Sequence, residues 1–177
     1  MADAVPTTFQ AIYQAEFPYV WNTLRRLGVR SADLGDLSHD VFVIAFRRLA
    51  DYDDTRPVRP WLFGIAFRVV AHVRRKERVD PEQSEAVAVD ELATSNAGPE
   101  ESLASQQDRQ LVARALDALD LDRRSVFVMH ELDGQAVPEI ARTLSIPLNT
   151  AYSRLRLARR DFVDAVKRAR SVGGSHE

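Results

Sequence analysis

The stretch Val137-Pro-Glu-Ile-Ala-Arg-Thr-Leu-Ser-Ile-Pro-Leu-Asn-Thr-Ala-Tyr-Ser-Arg-Leu155 runs without a break into a basic segment that ends at Arg170. Between Leu148 and Arg170 there are 7 Lys or Arg against 2 Asp or Glu. Ile140, Leu144 and Ile146 fall where two short helices would pack, Ala141 is small where they would cross, and Pro147 keeps the first helix from continuing. The second helix, starting at Asn149-Thr150, should bury Ala151, Leu155, Ala158, Phe162 and Val166. That leaves Asn149, Thr150, Tyr152, Ser153, Arg154, Arg156 and Arg160 largely outward. These side chains are rich in hydrogen-bond donors. In the first turns they can reach base edges in a major groove, and the arginines further along suit phosphate oxygens. The chemistry on offer is recognition of a duplex. An ordinary helical hairpin with a solvated arginine face is the plain alternative.

A second constellation lies upstream, Asp36-Leu-Ser-His-Asp-Val-Phe-Val-Ile-Ala-Phe-Arg-Arg-Leu49, followed by Arg59-Pro-Trp-Leu-Phe-Gly-Ile-Ala66. On a helix Asp36, Asp40 and Arg47 share a face that the apolar stripe does not use. Catalytic readings fare worse. His39-Asp40 and His130-Glu131 are neighbours that diverge on a helix, and no third ligand stands at helical spacing. His72 sits among arginines that would repel a cation. There is no cysteine, no Gly-rich phosphate loop and no nucleophile elbow, so neither a cofactor, a metal nor an enzymatic reaction is expected.

These segments need helices to position them, and the periodicity supplies helices throughout. Phe9, Ile12, Tyr13, Phe17, Val20, Trp21, Leu24 and Leu27 form one amphipathic helix or a kinked pair, with Pro18 at the kink. Leu34, Leu37, Val41, Ile44, Ala45 and Leu49 form another after a Ser31-to-Asp36 start. Residues 51–60, with two prolines and three aspartates, read as a loop, and Trp61 to Lys76 as a third helix ending in Arg74-Arg-Lys76. Further helices cover Gln106–Leu119 and Arg123–Glu131, the latter capped by Asp120 or Asp122 and stopped by Asp133-Gly134, before the helix-turn-helix. No strand alternation is visible. The expected fold is all-α, two small helical domains, with the C-terminal one a helix-turn-helix domain.

The net charge of −2 is misleading until it is divided. Residues 1–77 hold 11 basic against 9 acidic side chains, residues 78–105 hold 1 against 7, and residues 106–177 hold 12 against 10. The middle segment, rich in Asp, Glu, Ser, Ala, Pro and Gly with scattered aliphatic residues and no aromatics, reads as a flexible acidic linker, because it cannot bury enough surface to offset its ordering entropy. The outer segments carry concentrated positive patches, and the local field rather than net charge steers an anionic partner. No apolar run approaches the roughly 18 residues of a membrane span, and the start lacks a leader pattern. A cytoplasmic protein without membrane insertion is expected.

Four blocks in register resemble the extracytoplasmic-function (ECF) group of the sigma-70 family, bacterial initiation factors that join RNA polymerase core to a promoter. They are Asp36-to-Phe42 with Ala45-to-Leu49; Arg59-to-Phe63 with Ile65-Ala66 and Arg74-Arg75-Lys76; Ala115-to-Leu119 with Arg124-to-Phe127; and Glu139-Ile140-Ala141, Thr150, Ser153-to-Leu155 and Ala158-Arg159. The resemblance implies a polymerase- and −10-binding region over residues 8–77, an acidic linker over 78–105 lying in the RNA exit channel, and a −35-binding region over 106–170. It implies polymerase contacts, on the clamp coiled coil, by Asp36, Leu37, Asp40, Val41, Phe42 and Arg47, and a further contact on the flap. It implies capture of an unstacked −10 base by the segment containing Arg56, Arg59, Trp61, Arg68, His72, Arg74, Arg75 and Lys76, where a stacking surface lies beside cations. An anti-sigma partner is implied as well. This sequence departs from the family pattern at Gly64 and Phe67, usually basic; at Arg68 and His72, usually Asn and Asp; and at Asp120, Asn149, Ala151, Tyr152 and Leu157. The promoter sequence therefore does not carry over. A conventional regulator that binds a duplex operator without polymerase is the alternative, and a purely protein-binding helical adaptor a third.

Overall fold

The structure, a computed structural model, describes residues 9–79 and 103–173. Among the described residues every regular element is helical: α1 (Phe9–Arg26), α2 (Leu34–Arg47), α3 (Val58–Val79), α4 (Leu103–Asp117), α5 (Leu121–Phe127), α6 (Val137–Leu144) and α7 (Leu148–Gly173). Short 3₁₀ turns, Ser31–Asp33 and Leu49–Asp51, lead into and out of α2, and a π turn, Val128–Leu132, extends α5.

The N-terminal three helices pack on one another through Ile12, Val20, Leu24, Leu27, Leu34, Val41, Phe42, Leu62, Phe63 and Val70, each at most 3% exposed. The segment with Pro18 is one continuous helix, which settles the choice left open by the sequence. Its C-terminus is a Schellman turn, with Val29 N–H donating to the Leu24 carbonyl at 3.1 Å and Gly28 at φ +85°. α3 begins earlier than the sequence predicts, because Pro60 falls in its first turn, where the missing N–H would have no partner anyway. Loop residue Tyr52 lays its ring 4.8 Å from that of Trp61.

In the C-terminal half, α7 is the spine on which α4, α5 and α6 pack. Asp120, not Asp122, caps α5, its carboxylate accepting from Arg123 N–H at 2.9 Å. Phe127 stacks on Phe162 at 4.6 Å, tying α5 to α7. α6 ends in a second Schellman turn whose left-handed residue is Ser145, φ 56°, so three residues separate it from α7. Asn149 lies inside α7 rather than at a cap, because the left-handed turn has already been taken at Ser145.

The segment read as the linker is helical at both ends, since α3 extends to Val79 and α4 starts at Leu103. The rest of that segment, residues 80–102, lies outside the described residues, as do the start and the last four residues of the chain. The two halves are in contact: α6 packs across α3, and the buried apolar side chains of both halves form one continuous cluster.

Candidate nucleic-acid and polymerase interface

On α3 the helical repeat sorts the −10 candidates into two faces. Trp61, Arg68, His72, Arg75 and Lys76 lie along one side, with Trp61 half-buried against Tyr52 and the other four exposed. Arg59 and Arg74 fall on the opposite side and are turned towards α1. Arg59 Nε donates to Glu16 at 2.8 Å and its guanidinium lies 5.1 Å from the Tyr19 ring centre. That pairing with Glu16 raises its pKa further. Arg74 donates to the Leu27 carbonyl at 2.7 Å and is half-buried. Arg56 is exposed on the loop, 3.4 Å from Asp53. The sequence grouped these eight residues; the structure brings five of them onto one stripe.

On α2 the strip Asp36, Asp40 and Arg47 is exposed, with Leu37 half-buried on its flank. Val41 and Phe42 are 0% and 2% exposed, so no docking partner can touch them without unpacking the helix; their place is to hold α2 on α1. The residue that spacing did not single out is Phe46. It is 61% exposed, with its ring 5.0 Å from that of Phe9, which in turn lies 6.4 Å from the ring of Tyr13, itself 42% exposed. Phe42 and Phe46 stand four apart, and the resemblance implies a contact by the first alone, whereas packing buries the first and leaves the second on the surface.

On α7 Asn149, Tyr152, Ser153, Arg156 and Arg160 share one exposed face. The apolar stripe expected behind it is there, with Ala151, Leu155 and Ala158 at most 4% exposed. Thr150 and Arg154 sit at the edge of this face and are half-buried. Arg154 donates to Asp122 at 2.6 Å and so braces α7 against α5. Arg160 pairs with its neighbour Asp161 at 2.9 Å. Leu148, 45% exposed at the start of the helix, was missed by the sequence reading, although an apolar residue at a helix start outside the buried stripe is the available signal. The two histidine–acid pairs hold the scaffold or face solvent: His130 Nδ1 lies 2.9 Å from the Gln135 carbonyl, Glu131 accepts from Arg159 at 2.6 Å, and His39 and Asp40 are exposed.

A three-helix unit with an acidic-rimmed helix and a cationic aromatic face, followed by a helix-turn-helix with a donor-rich second helix, is the arrangement of a DNA-binding protein. Comparison with known proteins narrows this. Residues 12–79 match the family model for sigma-70 region 2, and residues 109–162 match that for sigma-70 region 4. The chain is 32% identical over 146 residues to the RNA polymerase sigma factor CnrH of Cupriavidus metallidurans, covering 76% of this chain and 74% of that protein. It is 28% identical over 138 residues to the ECF RNA polymerase sigma-E factor of Escherichia coli, covering 74% and 72%. Among solved structures, the sigma factor RpoE of Bartonella quintana in complex with the anti-sigma factor NepR superposes with a TM-score of 0.75 at 21% identity, over 91% of this chain and 98% of that one. CnrH in complex with the cytosolic domain of CnrY gives a TM-score of 0.63 at 23% identity, over 90% and 87%. The chain belongs to the ECF group of the sigma-70 family, and it directs RNA polymerase to specific promoters in transcription initiation.

Proposed function

We propose that residues 8–77 engage the polymerase core and the −10 strand, that residues 106–170 engage the −35 duplex, and that 78–105 connect them as an acidic linker. The observation that carries this division is the pair of separate exposed faces, one on α3 and one on α7, each combining cations with an aromatic ring. Asp36, Leu37, Asp40 and Arg47, joined by Phe46, form the surface for the clamp coiled coil; an exposed aromatic beside charged residues is the composition of an interface core and its rim. The C-terminal unit meets the flap. Trp61, Arg68, His72, Arg75 and Lys76 hold an unpaired −10 strand by stacking and by charge, and Arg56 adds a phosphate contact from the loop. Arg59 and Arg74 brace α3 against α1 rather than meet DNA.

In the major groove, Asn149, Tyr152 and Ser153 reach base edges, Leu148 meets a thymine methyl, and Arg156 and Arg160 neutralise phosphates. Thr150 and Arg154 position the helix. Promoter opening follows from preferential binding of the unpaired strand, a shift of population that needs no hydrolysis, so the chain acts without enzymatic chemistry of its own. It works in the cytoplasm. None of its described helices is long and apolar enough to cross a membrane. An anti-sigma partner covers the α2 surface in the resting cell; the solved structure of RpoE is a complex with the anti-sigma factor NepR, and that of CnrH a complex with the cytosolic domain of CnrY.

Run-off transcription on genomic fragments with purified core tests the reading. The chain with core is expected to start transcripts at discrete sites, and Arg156→Ala to weaken them. Duplex binding at the same sites without core, with no stimulation of transcription, would favour the operator-binding regulator instead.

A further inference from the structure

The outward arginines of α7 are not equivalent. Among the described residues the Arg156 side chain has no hydrogen bond or ion pair, so its guanidinium is ordered only by what it meets. Arg160, one turn further on and on the same face, is 61% exposed yet held along one edge, its Nε and Nη2 donating to Asp161 Oδ1 at 3.1 and 2.9 Å. Asp161 is anchored from its other side, where Oδ2 accepts from Arg123 Nη1 at 2.6 Å. Arg123 belongs to α5 and is fixed at its root: its backbone N–H donates to the capping carboxylate of Asp120 at 2.9 Å, and its Nε lies 3.3 Å from the same carboxylate. A chain of alternating charges, Asp120, Arg123, Asp161 and Arg160, thus runs from the start of α5 to the exposed face of the recognition helix. The Asp161 carboxyl is held below the usual aspartate range by the Arg160 hydrogen bond first, with Arg123 adding to it against the opposing effect of desolvation, so it stays charged.

On the reading of α7 as the helix in the −35 groove, on which this rests, we propose that Asp161 is a positioning residue for promoter binding: it takes the side edge of the Arg160 guanidinium and leaves the end of that guanidinium turned outward for one phosphate of the duplex. A guanidinium carries five N–H donors in a rigid fork. Two are spent on Asp161. The three that remain, both on Nη1 and one on Nη2, lie at the end away from the carboxylate, the arrangement that grips two oxygens of a phosphate.

A carboxylate at this place has two opposing effects, and their sizes decide the direction. Asp161 repels the same phosphate. At about 7 Å through water that repulsion is worth a factor of less than about three in affinity, and salt screens it further. A free arginine side chain loses more on docking, since its whole rotamer freedom corresponds to a factor of about 30. Pairing with Asp161 removes part of that loss before DNA arrives, and preorganisation outweighs the repulsion. Isolated surface pairs order little, but this one is anchored through Arg123, and a network is the case in which such pairs count. Arg156 has no such support and gives up its freedom on binding.

Promoter affinity of the holoenzyme, measured by gel-shift titration at a start site located by run-off transcription, tests this through the sign of the change. Asp161→Ala is expected to weaken binding about threefold or more, although it removes a negative charge beside the DNA. In an Arg160→Ala background the same substitution should leave binding unchanged or strengthen it by up to about threefold, because only the repulsion is left. Asp161→Asn, which keeps the shape of the side chain, should weaken binding in the same direction by a smaller factor. Circular dichroism and thermal melts confirm that each chain is folded. A role confined to holding α5 on α7 would weaken binding equally with and without Arg160, and pure repulsion would strengthen it in both backgrounds; either result overturns the proposal. If Arg156→Ala and Arg160→Ala both left the affinity and its salt slope unchanged, the reading of α7 itself would fall, and the proposal with it.

Discussion

Replacing Gly28 with alanine should disturb the joint between the halves by an amount that can be worked out from the contacts. Gly28 sits at φ +85°, where a side chain costs about 1–2 kcal/mol. Restricting the unfolded chain returns about 0.4–1 kcal/mol of that. The new Cβ would stand 2.2 Å from Arg124 Nη1 and 2.8 Å from Arg74 Nη2, so the buried guanidinium has to leave its seat. Breaking a buried ion pair costs about 3–5 kcal/mol. Here Asp117 is 58% exposed, and Arg124 moves towards water rather than disappearing, so we take about 1–2 kcal/mol for this part. The sum is about 2 kcal/mol, or a fall in Tm of roughly 4–8 °C for a chain of this size. Trp21 and Trp61 both lie in the N-terminal half, so urea unfolding followed by their fluorescence reports that half directly. In an Arg124→Ala background only the backbone cost should remain, about 0.5–1 kcal/mol, leaving a coupling of about 1 kcal/mol or more between the two positions. If Gly28→Ala stayed within about 0.5 kcal/mol of the wild type, or if the two substitutions were additive, the account of this joint would be wrong.

Four other outcomes are expected. Ser145→Gly should stabilise the chain by about 0.5–1 kcal/mol, seen as a higher Tm, because it removes a side chain from a left-handed turn. Phe127→Ala should cost about 3–5 kcal/mol and abolish specific duplex binding by the C-terminal half, since Phe127 is 6% exposed and stacks on the shaft of the recognition helix. Arg156→Ala should weaken promoter binding similarly across sequences and lower the salt slope by about one, whereas Arg154→Ala should show chiefly as lost stability of up to about 1 kcal/mol; gel-shift titrations at several salt concentrations, with thermal melts alongside, separate the two.

The fourth concerns pH. Burial raises the Asp133 pKa, against the opposing effects of the Tyr19 hydrogen bond and of Arg26 and Arg59, which face it from α1 and α3. The folded chain then binds a proton more readily than the unfolded one. Acidification through the raised pKa should therefore add stability at this site, the gain ending below the ordinary aspartate range of about 3.9. In urea unfolding, the stability of the wild type relative to Asp133→Asn should rise as pH falls through that range.

The helices were legible because each carries its own apolar stripe, and such a stripe is a property of neighbours three and four apart. The recognition helix could be read face by face from Asn149 to Arg160 for the same reason. What one helix could not reveal was which side of α3 meets α1 and which meets α6. Arg59, Arg68 and Arg74 look alike in sequence, yet the first and third are claimed by Glu16 and the Leu27 carbonyl and the second by the helix-turn-helix corner. Phe42 and Phe46 are a similar pair, equal in residue type and separated only by packing.

Gly64 shows the division most plainly. From sequence it is a missing basic residue; in three dimensions it is the space into which Thr143 fits. Local spacing and charge determined that this chain is helical, has two parts and is directed at DNA. Contacts between residues 43 or more positions apart, which no periodicity encodes, decided which arginines of α3 are tied to α1 and which reaches the other half.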